Sequence, residues 1–110
     1  MKSIFVTLTI VAVLTIAGIS LRAADVAAGK DLYMKNCASC HGQGGEGKDA
    51  IAKTLQVQFK HLGSKEVQAK SDADMKKTIL EGMGKMKAQT KVDAKQADDI
   101  IAFVRTLKAK

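Results

Sequence analysis

The sequence predicts an all-α fold of three or four helices, and three observations support this. Apolar residues recur at helical spacing in several segments, and capping residues precede two of these segments. No segment shows the regular alternation of a strand. Glycine-rich stretches at residues 42–47 and 82–84 interrupt the helical pattern and predict loops. A length of 110 residues predicts one folded domain.

The N-terminal part predicts a secretory signal peptide at residues 1–24, followed by a domain at residues 25–110. A positively charged start is followed by an almost wholly apolar run and then by small residues. We place the cut just before Ala24 or Asp25, and the junction after Ala28 is a second candidate. An uncleaved membrane anchor is the alternative, but the apolar run is shorter than the roughly 20 residues of a full span. The predicted destination is the periplasm.

Charge and amino-acid composition argue against some classes of function and favour others. Without the signal peptide, 86 residues remain with 16 basic and 11 acidic side chains, a net charge of +5. The lysines are spread along the chain rather than clustered with arginines, which argues against nucleic-acid binding and is consistent with steering toward an acidic protein partner. This part has no Trp, one Tyr and two Phe, so a bulky apolar cofactor is expected to help fill its core.

The first helix is predicted from about Asp25 to Asn36. Apolar or small residues recur there at helical spacing, among them Gly29 and Tyr33, with lysines between them. Residues 50–62 are ambiguous, since three apolar residues spaced by four permit a short helix.

The last two helices have clearer boundaries. Ser71 with Asp74 predicts a capping box for the third helix, and Gly82 follows its predicted end. Asp93 with Gln96 predicts a capping box for the fourth helix, whose apolar residues at 97, 100, 101, 104 and 107 share one face.

The motif that carries chemistry is Cys-Ala-Ser-Cys-His at residues 37–41. Cys37 and Cys40 have the spacing that bonds the two vinyl groups of one haem, and the adjacent His41 is placed to bind the iron. We expect a backbone carbonyl to accept the other ring N–H of His41, as is usual for ligating histidines.

Three alternative interpretations of this motif remain open at this point. A thiol redox pair is expected in a βαβ context, and no strands are predicted here. A zinc site would need further ligands, and His61 is the only other histidine, so it is more simply a loop residue. A structural disulfide is compatible with an exported chain.

The chain from Asp25 to Leu107 resembles the small single-haem class I cytochromes c of the bacterial periplasm. The resemblance rests on four segments in the family's order: the helix with Gly29 and Tyr33, the motif at 37–41, the segment Gly-Met-Gly-Lys-Met at 82–86, and the final helix with Phe103. It implies that the two terminal helices cross, that Gly29 and Tyr33 pack near Phe103, and that the helices wrap around one covalent haem c.

The resemblance also implies the second axial ligand. Its pattern places the iron-binding sulfur at Met86 rather than at Met83, while Met34 and Met75 are expected in the core. A thioether ligand raises the reduction potential of haem iron. The family has a proline directly after this methionine, whereas this chain has Lys87 and contains no proline at all.

These observations predict a monomeric periplasmic electron carrier, not an enzyme, with His41 and Met86 as axial ligands of one haem c. Its expected partners are redox proteins with acidic docking surfaces, which lysines such as Lys53, Lys85 and Lys87 would steer. Two alternatives are a haem protein with a labile or open distal site, suited to gas binding or peroxidase-like chemistry, and a haem subunit of a larger redox complex.

Overall fold

The computed structural model describes residues 23–110, so the predicted signal peptide lies almost entirely outside the described residues. The helices are α1 (Val26–Asn36), α2 (Ala38–His41), α3 (Asp49–Leu55), α4 (Lys65–Gln68), α5 (Asp72–Glu81) and α6 (Ala94–Val104).

The all-α prediction is confirmed, because residues 23–110 contain no strand and only one isolated bridge, between Met83 and Met86. The four anticipated helices correspond to α1, α3, α5 and α6. The structure adds α2 and α4, which were not predicted because a four-residue helix is too short to display an apolar period. Within the same residues, no helix has the length and apolar character needed to cross a membrane.

The crossing of α1 and α6 organises the fold, and Gly29 makes it possible. A Cβ atom at Gly29 would lie 1.8 Å from the backbone oxygen of Asp99 and 2.4 Å from its carbonyl carbon. The two backbones can therefore approach this closely only because residue 29 has no side chain. Four residues further along α1, the fully buried Tyr33 ring packs on Phe103 with a centroid distance of 5.1 Å. The implied packing of the terminal helices is confirmed.

The N-terminus of α1 is also tied to α6. Asp25 caps α1 by accepting a hydrogen bond from the Ala28 amide, and its own backbone N–H donates to the Asp99 carboxylate at 2.8 Å. Asp99 is buried and pairs with Lys95 one turn earlier in α6. The fold thus includes Asp25 as a structural residue.

The predicted caps of α5 and α6 differ in completeness. Asp93 and Gln96 form both hydrogen bonds of a capping box. At α5, Ser71 accepts from the Asp74 amide, but the reciprocal bond is absent, so only half of the predicted box forms.

Arg105, at the end of α6, fixes the connection between α4 and α5. Its guanidinium donates to the carbonyl oxygens of Gln68 and Lys70, each at 2.7 Å, and to the Asp72 carboxylate. The side-chain amide of Gln68 donates in turn to the Val104 carbonyl oxygen at 3.1 Å. This polar cluster holds the start of α5 against α6.

One hydrophobic core joins these elements, with Met75 buried inside it and Met34 packed against it, as expected for both. Its buried members are Tyr33, Cys37, Ala38, Val67, Met75, Ile79, Val92, Ala97, Ile100, Ile101, Phe103 and Val104.

Replacing Gly29 with Ala is expected to lower the free energy of unfolding by about 3 kcal/mol, because the new methyl group would push α1 away from α6. The same change at an unconstrained helix position stabilises by about 1 kcal/mol, so the sign of the effect is diagnostic. Urea unfolding of the holoprotein, followed by circular dichroism, measures it. The exposed neighbour provides a control, since Lys30→Ala should change stability by less than about 0.5 kcal/mol. A neutral or stabilising Gly29→Ala contradicts the close crossing.

Candidate functional site

The motif at residues 37–41 sits where α1 ends and α2 begins. The Cys37 amide donates to the Tyr33 carbonyl oxygen at 2.8 Å, and the His41 amide donates to the Cys37 carbonyl oxygen at 2.9 Å. The motif is therefore a short helical turn carried by the end of α1. Through α1 it is attached to the α1–α6 crossing.

The two thiols are free and differ in burial. Cys37 belongs to the core with 8% of its surface exposed, while Cys40 is half-buried. The disulfide interpretation is therefore not supported. Burial, and after it the neighbouring Cys40, raises the pKa of the Cys37 thiol to about 11, so this thiol is protonated at neutral pH.

His41 presents a neutral imidazole. Burial lowers its pKa, because a charged ring would lose its hydration. Its Nδ1 atom is buried and has no hydrogen-bond partner among the described residues, so the expected bond to a backbone carbonyl is not formed. Its ring packs on Phe59 with a centroid distance of 5.4 Å and an interplanar angle of 58°. Neutral imidazole is the form that binds metals.

The loop after His41 folds back onto the motif. The Gly47 amide donates to the His41 carbonyl oxygen at 2.6 Å, and the Lys48 amide donates to the Cys40 carbonyl oxygen at 2.9 Å. Gly47 has φ +82°, and a Cβ there would lie 2.5 Å from the Cβ of Phe59. Gly47 is thus needed both for its conformation and to let Phe59 reach the His41 ring.

Tyr33 anchors the start of the same loop. Its hydroxyl donates to the Gly42 carbonyl oxygen at 2.6 Å in a buried hydrogen bond. Burial, reinforced by the nearby Cys37, strongly raises the pKa of Tyr33, which keeps its hydroxyl a donor at any physiological pH. Tyr33 therefore links the α1–α6 core to the residue that follows His41.

Met86 lies in the loop between α5 and α6, apart from the motif in the chain. Met83 and Met86 face each other across a two-residue turn, with Met83 N to Met86 O at 2.9 Å and Met86 N to Met83 O at 3.0 Å. Gly84, the first turn residue, has φ +58°, which suits such hairpins. Met83 is 62% exposed, whereas Met86 is half-buried. The burial difference favours Met86 as the residue that faces the interior.

His61 has a local structural role. Its Nδ1 accepts the Gly63 amide at 2.9 Å within a turn, and the next residue, Leu62, donates its amide to the Gly45 carbonyl oxygen. No group of three or more His, Cys, Asp or Glu side chains that could hold a metal ion occurs in residues 23–110. The zinc interpretation therefore finds no support.

The residues of the motif fit attachment of a haem. Two unpaired thiols at the required spacing precede a neutral imidazole whose Nδ1 has no hydrogen-bond partner among residues 23–110. The sequence did not indicate that Phe59 would contact the His41 ring, nor that the Tyr33 hydroxyl would hold Gly42. The small number of aromatic residues singles out Tyr33 and Phe59 in the sequence. Composition alone, however, does not predict which residues these two side chains contact.

The comparisons with known proteins agree with this geometry. Residues 24–104 match the family described as cytochrome c oxidase, cbb3-type, subunit III. Cytochrome c-554(547) of Halothiobacillus neapolitanus is 34% identical, in an alignment that covers 78% of this chain and all of the relative. The solved structure of the KustC0563 c-type cytochrome superimposes with a TM-score of 0.62 at 27% identity, covering 74% of this chain and 98% of the other.

Replacing Tyr33 with Phe is expected to lower the free energy of unfolding by about 1–2 kcal/mol, because it removes only the buried hydrogen bond to Gly42. Tyr33→Leu should cost more, since it also removes the ring contact with Phe103. Urea unfolding of both holoproteins separates the hydroxyl from the ring. An unchanged stability of Tyr33→Phe would show that the hydroxyl bond contributes nothing, and equal losses in the two variants would show the same of the ring contact.

Proposed function

Because this chain belongs to the family of cytochrome c domains described as subunit III of cbb3-type cytochrome c oxidase, we propose that it is a periplasmic electron carrier with His/Met axial ligation. Membership implies covalently bound haem c, which supplies an iron that changes between ferric and ferrous states. The observation that carries the proposal is the turn at residues 37–41, where two free thiols precede a half-buried, neutral imidazole whose Nδ1 has no hydrogen-bond partner among the described residues.

In this proposal Cys37 and Cys40 attach the haem, and His41 and Met86 bind its iron. His41 is held in orientation by Phe59 and by the loop that returns to its carbonyl oxygen. Met86 is favoured over Met83 because it is half-buried, while Met83 faces solvent. A sulfur ligand stabilises the reduced iron and so raises its reduction potential, which favours electron uptake from a donor of lower potential.

We further propose that residues 1–24 are removed on export and that the domain at 25–110 acts as a monomer. Asp25 is part of the fold, through its cap on α1 and its backbone bond to Asp99. The family match begins at residue 24. A cut after Ala28 would remove Asp25 and with it both interactions, which favours the earlier junction.

The partner surface in this proposal includes the lysines of the distal loop. Lys85 and Lys87 flank Met86, and Lys53 lies on α3; all three are exposed. None forms an ion pair with any residue in the described part of the chain. Unpaired surface ammonium groups raise the local potential and accelerate encounter with an acidic protein, and they do so less at high salt.

Met86→Ala is expected to abolish the weak long-wavelength iron–sulfur band of the ferric holoprotein, because no sulfur would then bind the iron. Met83→Ala should retain the band, and it serves as the matched control from the same hairpin. Absorption spectroscopy of the purified ferric proteins provides the measurement. Retention of the band in Met86→Ala, or its loss in Met83→Ala, contradicts the ligand assignment.

The double change Lys85→Glu, Lys87→Glu is expected to slow oxidation of the ferrous protein by the anion ferricyanide at low ionic strength, by about tenfold. Oxidation by a cationic cobalt phenanthroline complex should accelerate instead, and added salt should shrink both effects. Lys30→Glu with Lys108→Glu changes the net charge equally on other exposed positions. Stopped-flow rates that shift equally in both double variants would place the docking charge elsewhere.

A further inference from the structure

The loop that carries Met86 is closed upon itself although it contains no proline. It begins at Gly82, whose amide donates to the Thr78 carbonyl oxygen at 2.9 Å, and it ends at Gln89, whose amide donates to the Ile79 carbonyl oxygen at 2.9 Å. Both ends are therefore attached to the last turn of α5. Between them, the Met83–Met86 hairpin forms two further backbone hydrogen bonds.

Gly82 lies directly against the backbone that follows the hairpin. A Cβ atom at this position would lie 2.6 Å from the carbonyl oxygen of Met86, 2.8 Å from the amide nitrogen of Ala88 and 3.1 Å from the carbonyl carbon of Lys87. All three neighbours are backbone atoms, so no flexible side chain could move aside. The backbone of residues 86–88 thus packs directly against the Cα of Gly82.

The conformation of Gly82 adds a second constraint. Its φ of +80° and ψ of +171° lie in a region that essentially only glycine adopts. This conformation redirects the chain out of α5 and lets the hairpin return over the helix end. The side chain of Gln89 also donates to the Lys87 carbonyl oxygen at 3.1 Å and so holds the segment from its other end.

We propose that Gly82 is a positioning residue for Met86 and that its close backbone contact replaces the stiffening that a proline after the methionine would give. The inference rests on the proposed role of Met86 as an iron ligand. A side chain at residue 82 would displace the Met86 carbonyl oxygen and loosen the hold on its thioether. A residue that only terminated α5 would affect the stability of the fold but not the occupancy of the sixth ligand position.

Gly84 provides a matched control within the same loop. It also has a positive φ, +58°, but a Cβ there would meet no atom within 4 Å. Alanine at Gly84 therefore introduces conformational strain without a collision. The difference between Gly82→Ala and Gly84→Ala therefore reports what is particular to Gly82, namely its close backbone contact together with its glycine-only conformation.

The test measures how readily added imidazole displaces the sixth ligand in the ferric holoproteins. The apparent affinity for imidazole rises with the fraction of molecules in which Met86 is released. Gly82→Ala should bind imidazole about tenfold more tightly than the unmodified protein and show a weakened iron–sulfur band, whereas Gly84→Ala should change the affinity by less than about threefold. Equal imidazole affinities in the two variants, with the iron–sulfur band intact in both, overturn the proposal.

Two further variants complete the experiment. If Gly82→Ala yields no folded holoprotein, Gln89→Ala decides, because it removes only the side-chain bond to the Lys87 carbonyl oxygen. A rise of about threefold in imidazole affinity supports the proposal, and an unchanged affinity overturns it. Met86→Ala tests the premise separately. If this variant retains the iron–sulfur band, both the ligand assignment and the present inference are wrong. If it loses the band while Gly82→Ala keeps the band and the imidazole affinity of the unmodified protein, only the inference is wrong.

Discussion

The close crossing of α1 and α6 is the constraint on which the rest of the structure depends. It requires that Gly29 have no side chain, since the Asp99 carbonyl oxygen occupies the space that a Cβ would need. Once the backbones meet there, Tyr33 packs on Phe103 one turn later, and the motif at residues 37–41 follows directly from the end of α1. The position of His41 in α2 therefore depends on a contact made about three turns earlier in the chain, in α1, and is not set by the motif alone.

The environment of the motif at residues 37–41 favours the uncharged forms of its thiol and imidazole groups. Cys37 is a core residue with a raised pKa, and the pKa of His41 is lowered by the same cause, burial. Both groups are thereby kept neutral at neutral pH, which limits the desolvation cost of the site before any cofactor is attached. The hydroxyl of Tyr33 and the ring of Phe59 supply the neighbouring contacts without adding charge. The surface has the opposite character, since most lysines are exposed.

The two loops around the site obtain their order by different means. The loop after His41 returns to the motif through backbone bonds from Gly47 and Lys48 and rests on Phe59. The loop that carries Met86 is closed by its own hairpin and by its attachment to the last turn of α5. A proline would restrict one φ angle. Backbone bonds at both ends and a glycine contact in the middle restrict the whole segment, so the absence of proline from this chain does not by itself imply a loose loop.

The sequence alone determined the features that depend on neighbours along the chain. These are the helical class, the Asp93 cap, the helix end at Gly82 and the identity of the motif, because caps and attachment spacing are local. It also ranked Met86 above Met83, though only through a family resemblance. The tertiary structure decided what depends on distant residues: which thiol is buried, that His41 Nδ1 lacks a hydrogen-bond partner among the described residues, that Arg105 fixes the α4–α5 connection, and that Gly82 lies against the Met86 backbone. The physical reason is that burial and close backbone approach are set by packing between segments tens of residues apart, which no local pattern records.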